Sequence, residues 1–122
     1  MKLSYPAVFY PEDEGEAYTV VVPDLPGCMS CGDNLAEAIL MGIDAASGWI
    51  RTSLEDGEDI PPPSPLESIK PDEEIGVGFV NWIALDIEAY AKKYGYPMPV
   101  HALRDAPKKK LPVRDFQISR LL

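Results

Sequence analysis

Histidine and cysteine are scarce in this chain of 122 residues, which contains one His and two Cys. A structural zinc site needs about four such ligands, so these residues do not complete one. The chain also lacks any apolar run near the roughly twenty residues that cross a bilayer, and its start, "MKLSYPAVFY", is typical of a strand rather than of a signal peptide. We therefore expect a cytoplasmic protein with no metal, no cofactor and no membrane contact.

The two cysteines, Cys28 and Cys31, form a C-x-x-C motif of the kind found in redox and zinc proteins. A thioredoxin-like motif opens a helix after a parallel strand, whereas this pair lies between a Pro-Gly corner and the helix entry at Gly32 and Asp33. The only histidine, His101, lies far along the chain. We interpret both cysteines as small packing residues.

Positive charge is almost absent from the first three quarters of the chain. Residues 1–91 contain Lys2, Arg51 and Lys70 against eighteen Asp and Glu, and 3 − 18 gives −15. Residues 92–122 contain eight Lys and Arg against two Asp, which gives +6 and a total of −9. This division, in a chain with 46% apolar residues, predicts one anionic binding domain with a basic tail of separate use.

Alternating apolar residues predict two strands at the start of the chain, at 2–10 and 16–22. The segment "PEDEG" joins them as a hairpin, and its carboxylates Glu12, Asp13 and Glu14 are too polar to be buried unpaired. We expect these three side chains at a solvated tip. The corner "VPDLPGC" ends the second strand, and a short third strand follows at 29–31.

A long helix is predicted after Asn34, which can cap it, with Glu37 three residues later. "EDGEDIPPPSP" ends this helix. The predicted buried stripe consists of Leu35, Ile39, Ile43, Ala46, Ile50 and Leu54, with Met41 and Trp49 packing at its margin. The opposite, solvated side carries Glu37, Asp44, Ser47 and Arg51.

The second half begins with a predicted strand at 75–85, "IGVGFVNWIAL". Both of its faces are apolar, with Val77 and Phe79 on one and Val80 and Trp82 on the other, so we expect burial on both sides, one of them against another subunit. A short helix is predicted at 86–94, with Gly95 as its stop. The order strand, strand, strand, helix, strand, helix predicts an α+β fold.

These segments resemble the HicB family of antitoxins from bacterial toxin–antitoxin pairs. The resemblance runs from about Tyr5 to Gly95 and is most specific in "VPDLPGC", in the Gly32-Asp33 helix entry and in "EDG-x-x-IPPPS". It implies a reduced ribonuclease-H-like β-β-β-α-β core, with one long helix on an antiparallel-containing sheet and a short C-terminal helix and tail. It also implies binding of HicA, a small basic toxin that cleaves RNA. We expect residues 1–95 to form the toxin-neutralising domain.

Residues 96–122 form the predicted second unit, a basic Pro-rich tail. Many members of the family continue into a DNA-binding segment, whereas Pro97, Pro99, Pro107 and Pro112 exclude a continuous helix here. The tail is either an oligomerisation element or a remnant DNA-binding segment. In the alternative function, a transcriptional autoregulator of its own operon, Lys108, Lys109, Lys110 and Arg114 would contact phosphates; a solvated linker explains the same residues.

Function is predicted to lie in binding rather than catalysis, because the acidic residues concentrate in loops and no catalytic triad is recognisable. An acidic domain repels RNA but attracts a basic RNA-binding protein. The candidate toxin contacts are Glu12, Asp13, Glu14 and Asp24, although ordinary solubilising turn residues would look the same. The apolar strand around Phe79–Leu85 further predicts a homo-oligomer, either dimer or tetramer.

Overall fold

The computed structural model describes residues 1–98, which form an α+β fold with one antiparallel sheet. The order of elements and the fold class predicted above are confirmed. The sheet order is β3-β2-β1-β4, so β3 and β4 form its two edges. The elements in chain order are β1 (Lys2–Pro11), β2 (Tyr18–Val21), β3 (Met29–Gly32), α1 (Leu35–Glu55), a 3₁₀ turn (Leu66–Ser68), β4 (Phe79–Asp86) and α2 (Ile87–Tyr94).

The central strand β1 contains a proline, Pro6, which would normally interrupt a ladder. β2 pairs with β1 only from Val8 to Pro11, so it has no residue opposite Pro6. β4 pairs with β1 along the whole of Lys2–Phe9 and places Trp82 opposite Pro6. The missing N–H of Pro6 therefore faces the side without a partner strand, and the sheet loses no hydrogen bond there.

The first helix, α1, covers one face of the sheet and encloses the core. Asn34 caps it as predicted, because the side chain of Asn34 accepts a hydrogen bond from the backbone N–H of Glu37 at 2.8 Å. Gly32 lets the helix begin close to β3, since a Cβ at that position would lie 2.3 Å from the backbone nitrogen of Ala38. The predicted stripe faces the core: Ala46, Ile50 and Leu54 are buried, and Leu35, Ile39 and Ile43 are partly buried against it.

The opposite side of α1 was predicted to be solvated, and for Ser47 and Arg51 this is wrong. Both are buried, because α2 packs against that side of α1. The hydroxyl of Tyr90 lies over Gly48, and α2 ends at Gly95, which adopts the left-handed conformation at φ 72°. The N-cap of α2 is Asp86, whose side chain accepts from the N–H of Ala89 at 3.1 Å.

The fourth strand begins at Phe79 rather than at Ile75, and within one chain only one of its faces is buried, so burial of the other face against a second subunit stays a prediction. Ile83 and Leu85 are buried against the core, whereas Trp82 is 41% exposed on the other face. Residues 75–78 precede the strand as an exposed loop in which Val77 is 88% exposed. A run of apolar residues was thus mistaken for a run of buried residues.

Residues 60–78 return along the sheet face that α1 leaves open. Side chains of β1 on that face, Pro6, Val8 and Tyr10, are buried. Besides the Tyr5 hydroxyl, which donates to the carbonyl of Pro61 at 2.6 Å, two contacts hold the segment: Ser64 bonds to Asp24, and the N–H of Asp72 donates to the Tyr10 hydroxyl at 2.8 Å. Tyr10 is near the end of β1, so this second contact brings residues 72–78 to the end of the sheet where the β1–β2 hairpin turns.

Candidate partner-binding surface

Two acidic loops lie at the same end of the sheet. The first is the β1–β2 hairpin tip, where Glu12 N donates to the carbonyl of Ala17 at 2.9 Å and closes the turn. The second precedes β4, which starts opposite Phe9 of β1. We call this region the acidic end; its exposed carboxylates are Glu12, Asp13, Glu14, Glu16, Asp72, Glu73 and Glu74.

The hairpin tip keeps its charges in solvent, as the sequence predicted. Glu12, Asp13 and Glu14 are exposed, and among them Glu12 is oriented by the hydroxyl of Thr19, which donates to its Oε1 at 2.8 Å. The second loop is shaped by Asp72, whose side chain accepts from the N–H of Glu74 at 2.9 Å. Sequence reasoning missed this loop, because contacts between residues far apart in the chain, the β1–β4 register and the Tyr10–Asp72 hydrogen bond, place it beside the tip.

Apolar side chains project from solvent-exposed backbone beside these carboxylates. Ile75 is 55% exposed and Val77 is 88% exposed. Next to them lies a shallow cleft with a volume of about 540 Å³. It is lined by Lys70, Pro71, Glu73, Gly76, Val77 and Gly78. Exposed apolar side chains next to a cleft, surrounded by charge, are typical of protein-binding surfaces.

The opposite end of the sheet is also acidic, but the aliphatic side chains beside its carboxylates are buried. α1 ends there, and Glu55, Asp56, Glu58 and Asp59 are exposed. The neighbouring aliphatic side chains Leu54 and Ile60 are buried. Carboxylates occur at both ends, and exposed Ile75 and Val77 distinguish the end that carries the hairpin tip.

The fourth candidate contact, Asp24, has its carboxylate engaged within the protein. Its Oδ2 accepts from the backbone N–H of Ser64 at 2.8 Å, and its Oδ1 accepts from the Ser64 hydroxyl at 2.6 Å. Asp24 is only partly exposed. The structure therefore gives it a structural contact that the sequence did not predict, and it lies apart from the three exposed tip carboxylates.

The two cysteines are free and differ in environment. Cys28 is buried in the core, where burial raises the pKa of its thiol, so it is a poor nucleophile. Cys31 lies on the edge strand β3 and is exposed, which differs from the packing role predicted for it. Within residues 1–98 no cluster of His, Cys, Asp and Glu is arranged to hold a metal ion.

The candidate DNA contacts Lys108, Lys109, Lys110 and Arg114 lie outside the described residues, as does His101. Their proposed roles stay predictions. Among residues 1–98, no helix is long and apolar enough to cross a membrane.

Solved structures with a similar fold are antitoxins and toxin–antitoxin complexes. A toxin–antitoxin complex from Streptococcus pneumoniae matches with a TM-score of 0.65 and 22% identity, over 99% of this chain and 97% of that one. The N-terminal domain of the Burkholderia pseudomallei antitoxin HicB matches with a TM-score of 0.57 and 27% identity, over 69% of this chain and 99% of that one. A HicA3 and HicB3 toxin–antitoxin complex matches with a TM-score of 0.56 and 24% identity, over 69% of this chain and 99% of that one.

Curated relatives are similar over shorter stretches. A 14.9 kDa protein of Haemophilus phage HP1 is 46% identical over 56 residues, which are 46% of this chain and 42% of that protein. Antitoxin HicB 1 of Photorhabdus laumondii is 38% identical over 64 residues, 52% of this chain and 41% of that protein. The chain thus matches about two fifths of the length of each relative. The family model described as HicB-like antitoxin of bacterial toxin–antitoxin system matches residues 5–96, and the chain belongs to this family.

Proposed function

We propose that this chain binds and inhibits a small, basic, RNA-cleaving toxin of the HicA type, and that the acidic end is the surface that contacts it. The observation that carries the proposal is that two separate acidic loops lie at the same end of the sheet, beside exposed Ile75 and Val77. Membership of an antitoxin family supports the function, and similarity to antitoxins of solved toxin–antitoxin complexes supports the fold it needs.

The negative charge of the acidic end determines which kind of partner it attracts. Residues 1–91 carry a net charge of −15, and the acidic end concentrates seven of the carboxylates on two loops. A protein that binds RNA must present positive charge to phosphates, so the acidic end attracts it by the same electrostatics. Attraction of this kind raises the rate of association more than it raises affinity.

The chain would inhibit the toxin by occupying the surface with which the toxin binds RNA. Carboxylates of the acidic end would lie where the toxin otherwise holds phosphates, and Ile75 and Val77 would be buried against the toxin. Desolvation of the two aliphatic side chains slows dissociation, because burying apolar surface contributes roughly 25 cal/mol per Å². The toxin would then be unable to hold RNA. This mechanism requires no catalytic group on the chain, and we propose none.

The test is inhibition of the partner in purified form. The product of the adjacent gene, if it encodes a small basic protein, would be co-expressed with this chain and then assayed for RNA cleavage with and without it. We expect capture as a complex and loss of cleavage at an equimolar ratio. A purified toxin that cleaves RNA equally well in the presence of this chain would refute the proposal.

Finer features of the fold and organisation belong with this proposal. We propose that the described core is a reduced ribonuclease-H-like fold, that the toxin-neutralising domain ends near residue 95, and that the chain acts in the cytoplasm. The family match, which ends at residue 96, supports this boundary. Limited proteolysis would test the boundary, with cleavage expected after Pro97 rather than at Gly95, because Arg51 contacts Tyr96 and Pro97.

A further inference from the structure

The sheet face that α1 leaves open is covered at β1 and uncovered at β3. On β1, the side chains of Val8 and Tyr10 on this face are buried. Residues directly opposite each other in a sheet point to the same face, so the register extends these two positions across β2 to β3. The four side chains reached in this way, which we call the β3 patch, are Thr19, Val21, Met29 and Cys31.

The helix confirms which way these side chains point. A Cβ on Gly42 of α1 would lie 3.0 Å from the side chain of Val20, so Val20 faces α1. Because successive residues of a strand point to opposite faces, the neighbours Thr19 and Val21 face away from α1. The β3 patch therefore lies on the side of the sheet opposite the helix.

The β3 patch is an uncharged surface that becomes more exposed towards the edge of the sheet. Thr19 and Val21 are half-buried, whereas Cys31 is exposed and Met29 is 61% exposed. Within residues 1–98 no strand lies beyond β3, which forms an edge of the sheet. A methionine on such a surface is flexible and polarizable, and it can adapt its shape to a bound protein.

The hairpin tip borders the β3 patch. The hydroxyl of Thr19 donates to Glu12 at 2.8 Å, which holds one tip carboxylate against the patch. Cys31 lies opposite Thr19 on the next strand, at a strand spacing of roughly 5 Å. In the sheet order, β3 and the loop before β4 lie on opposite sides of the hairpin. The tip carboxylates therefore stand between two apolar surfaces, the β3 patch on one side and Ile75 with Val77 on the other.

The size of a stable interface requires more than the two acidic loops. A specific interface buries about 800 Å² of each partner, and its centre is more apolar than its rim. The acidic end supplies carboxylates and two exposed aliphatic side chains. The β3 patch would add apolar area directly beside the charges of the tip.

We propose that the β3 patch is part of the toxin contact, so that a bound toxin buries Met29 and Cys31 while its basic residues meet Glu12. This inference rests on the proposed function and extends the contact from the two loops onto the face of the sheet. A second copy of the chain is disfavoured as the occupant. With a net charge of −9, it would bring its own carboxylates towards Glu12.

The chain's own C-terminal residues are also disfavoured as the occupant. Arg51 lies over the ring of Tyr96 and donates to the carbonyl of Pro97, so the chain beyond these residues starts beside α1. Because α1 covers the other face of the sheet, this starting point lies across the sheet from the β3 patch. A basic toxin drawn to the hairpin tip needs no such path.

Cys31 allows a test without any substitution. The free full-length chain and its purified complex with the toxin would be treated with a maleimide, and the modified chain would be followed by its intact mass. We expect Cys31 to react about tenfold more slowly in the complex, since thiol reactivity depends on access. Cys28 is buried in the free chain and should stay slow in both samples.

The outcomes of this test separate the inference from the proposed function. An intact complex in which Cys31 reacts as fast as in the free chain would overturn the inference and leave the proposed function standing. Failure to form any complex would overturn both. Protection of Cys31 that grows with the concentration of the free chain alone would assign the β3 patch to a second copy, which also contradicts the inference.

A pair of charge variants provides an independent measurement. Met29→Lys places a positive charge on the β3 patch, and Leu40→Lys makes the same change of charge at a residue of α1 that is 66% exposed. Both positions are exposed, so both variants should keep the unfolding midpoint of the unaltered chain. We expect about tenfold weaker toxin binding for Met29→Lys alone, because it places a charge inside the contact. Equal toxin affinity of the two variants would contradict the inference.

Discussion

Asp24 accepts two hydrogen bonds from Ser64, one from its backbone N–H and one from its hydroxyl, although the residues are 40 positions apart. The pair ties the β2–β3 corner to the segment that crosses the open face of the sheet. Bonds to a charged acceptor contribute about 1.5–3 kcal/mol each when shielded from solvent, and less when partly exposed. The relationship makes Asp24 a structural residue of the surface rather than a free charge.

Asp24→Ala is therefore expected to lower the free energy of unfolding by about 2 kcal/mol, measured by urea denaturation. Asp13→Ala at the exposed hairpin tip is the control and should change it by less than about 0.5 kcal/mol. Toxin affinity measured well below the unfolding midpoint should be unchanged in Asp24→Ala. Unaltered stability together with lost toxin binding would instead make Asp24 a direct contact.

Arg51 provides a second prediction, because its guanidinium contacts three residues. It lies 4.3 Å from the ring centroid of Tyr96, donates to the carbonyl of Pro97 at 3.2 Å and pairs with Glu55 at 2.9 Å. The side chain is only 10% exposed, and its Nε has no partner within residues 1–98. It holds the segment after α2 against α1.

Arg51→Ala should lower the free energy of unfolding by about 2–3 kcal/mol, since it removes packing against Tyr96 as well as the polar contacts. Arg51→Lys should restore little of it, because an ammonium cannot stack on the ring and bond to two oxygens in one plane. Thr52→Ala, a change of an exposed residue next to it on α1, serves as the control. Equal stability of Arg51→Lys and the unaltered chain would contradict the stacking argument.

The features predictable from sequence are those that depend on neighbours in the chain. The caps at Asn34 and Asp86, the stop at Gly95 and the hairpin tip all follow from residues within a few positions. The burial of Arg51 could not be predicted in this way, because α2, about 40 residues later, creates its environment. A usable signal was present: Ser47 and Gly48 are small, which is typical of a helix side that another helix approaches closely.

The same distinction between local and long-range contacts applies to the candidate site. Its hairpin tip was predictable because three consecutive carboxylates cannot be buried. The loop at residues 72–74 was not, since the contact between Tyr10 and Asp72 is long-range. Ile75 and Val77 were assigned to a buried strand because an apolar sequence pattern is the same whether the apolar surface is buried within the chain or left for a partner.

The thiols of the two cysteines should react with a thiol reagent at different rates. Burial raises the pKa of Cys28, so its thiol stays protonated at neutral pH and reacts slowly, whereas Cys31 is exposed. With a chromogenic disulfide reagent we expect one thiol per native chain to react quickly and the second only on unfolding. Cys31→Ser should abolish the fast phase, and Cys28→Ser should keep it. Two fast thiols in the native chain would contradict the burial of Cys28.

Val77 allows the apolar part of the proposed toxin contact to be tested without affecting the fold. Because its side chain is almost entirely in solvent, Val77→Asn should leave the unfolding midpoint unchanged. We expect the complex with the toxin to dissociate severalfold faster, since a buried aliphatic contact is lost. Leu40→Asn is the matched control, an exposed aliphatic residue on α1 outside the proposed surface. Equal dissociation rates for the two variants would remove Val77 from the contact.

The charges of the acidic end should govern how fast the toxin binds. Reversal of Glu12, Asp13 and Glu14 to Lys is expected to slow association by about tenfold at low salt and to flatten its dependence on ionic strength. Glu73→Lys with Glu74→Lys should act in the same direction, because the second loop lies at the same end. Asp56→Lys with Glu58→Lys changes the net charge by the same amount as the double change at Glu73 and Glu74. It does so at the opposite end of the sheet, where α1 ends. If only net charge mattered, these two double variants would associate equally slowly; if the acidic end is the contact, the Glu73 and Glu74 variant is the slower one.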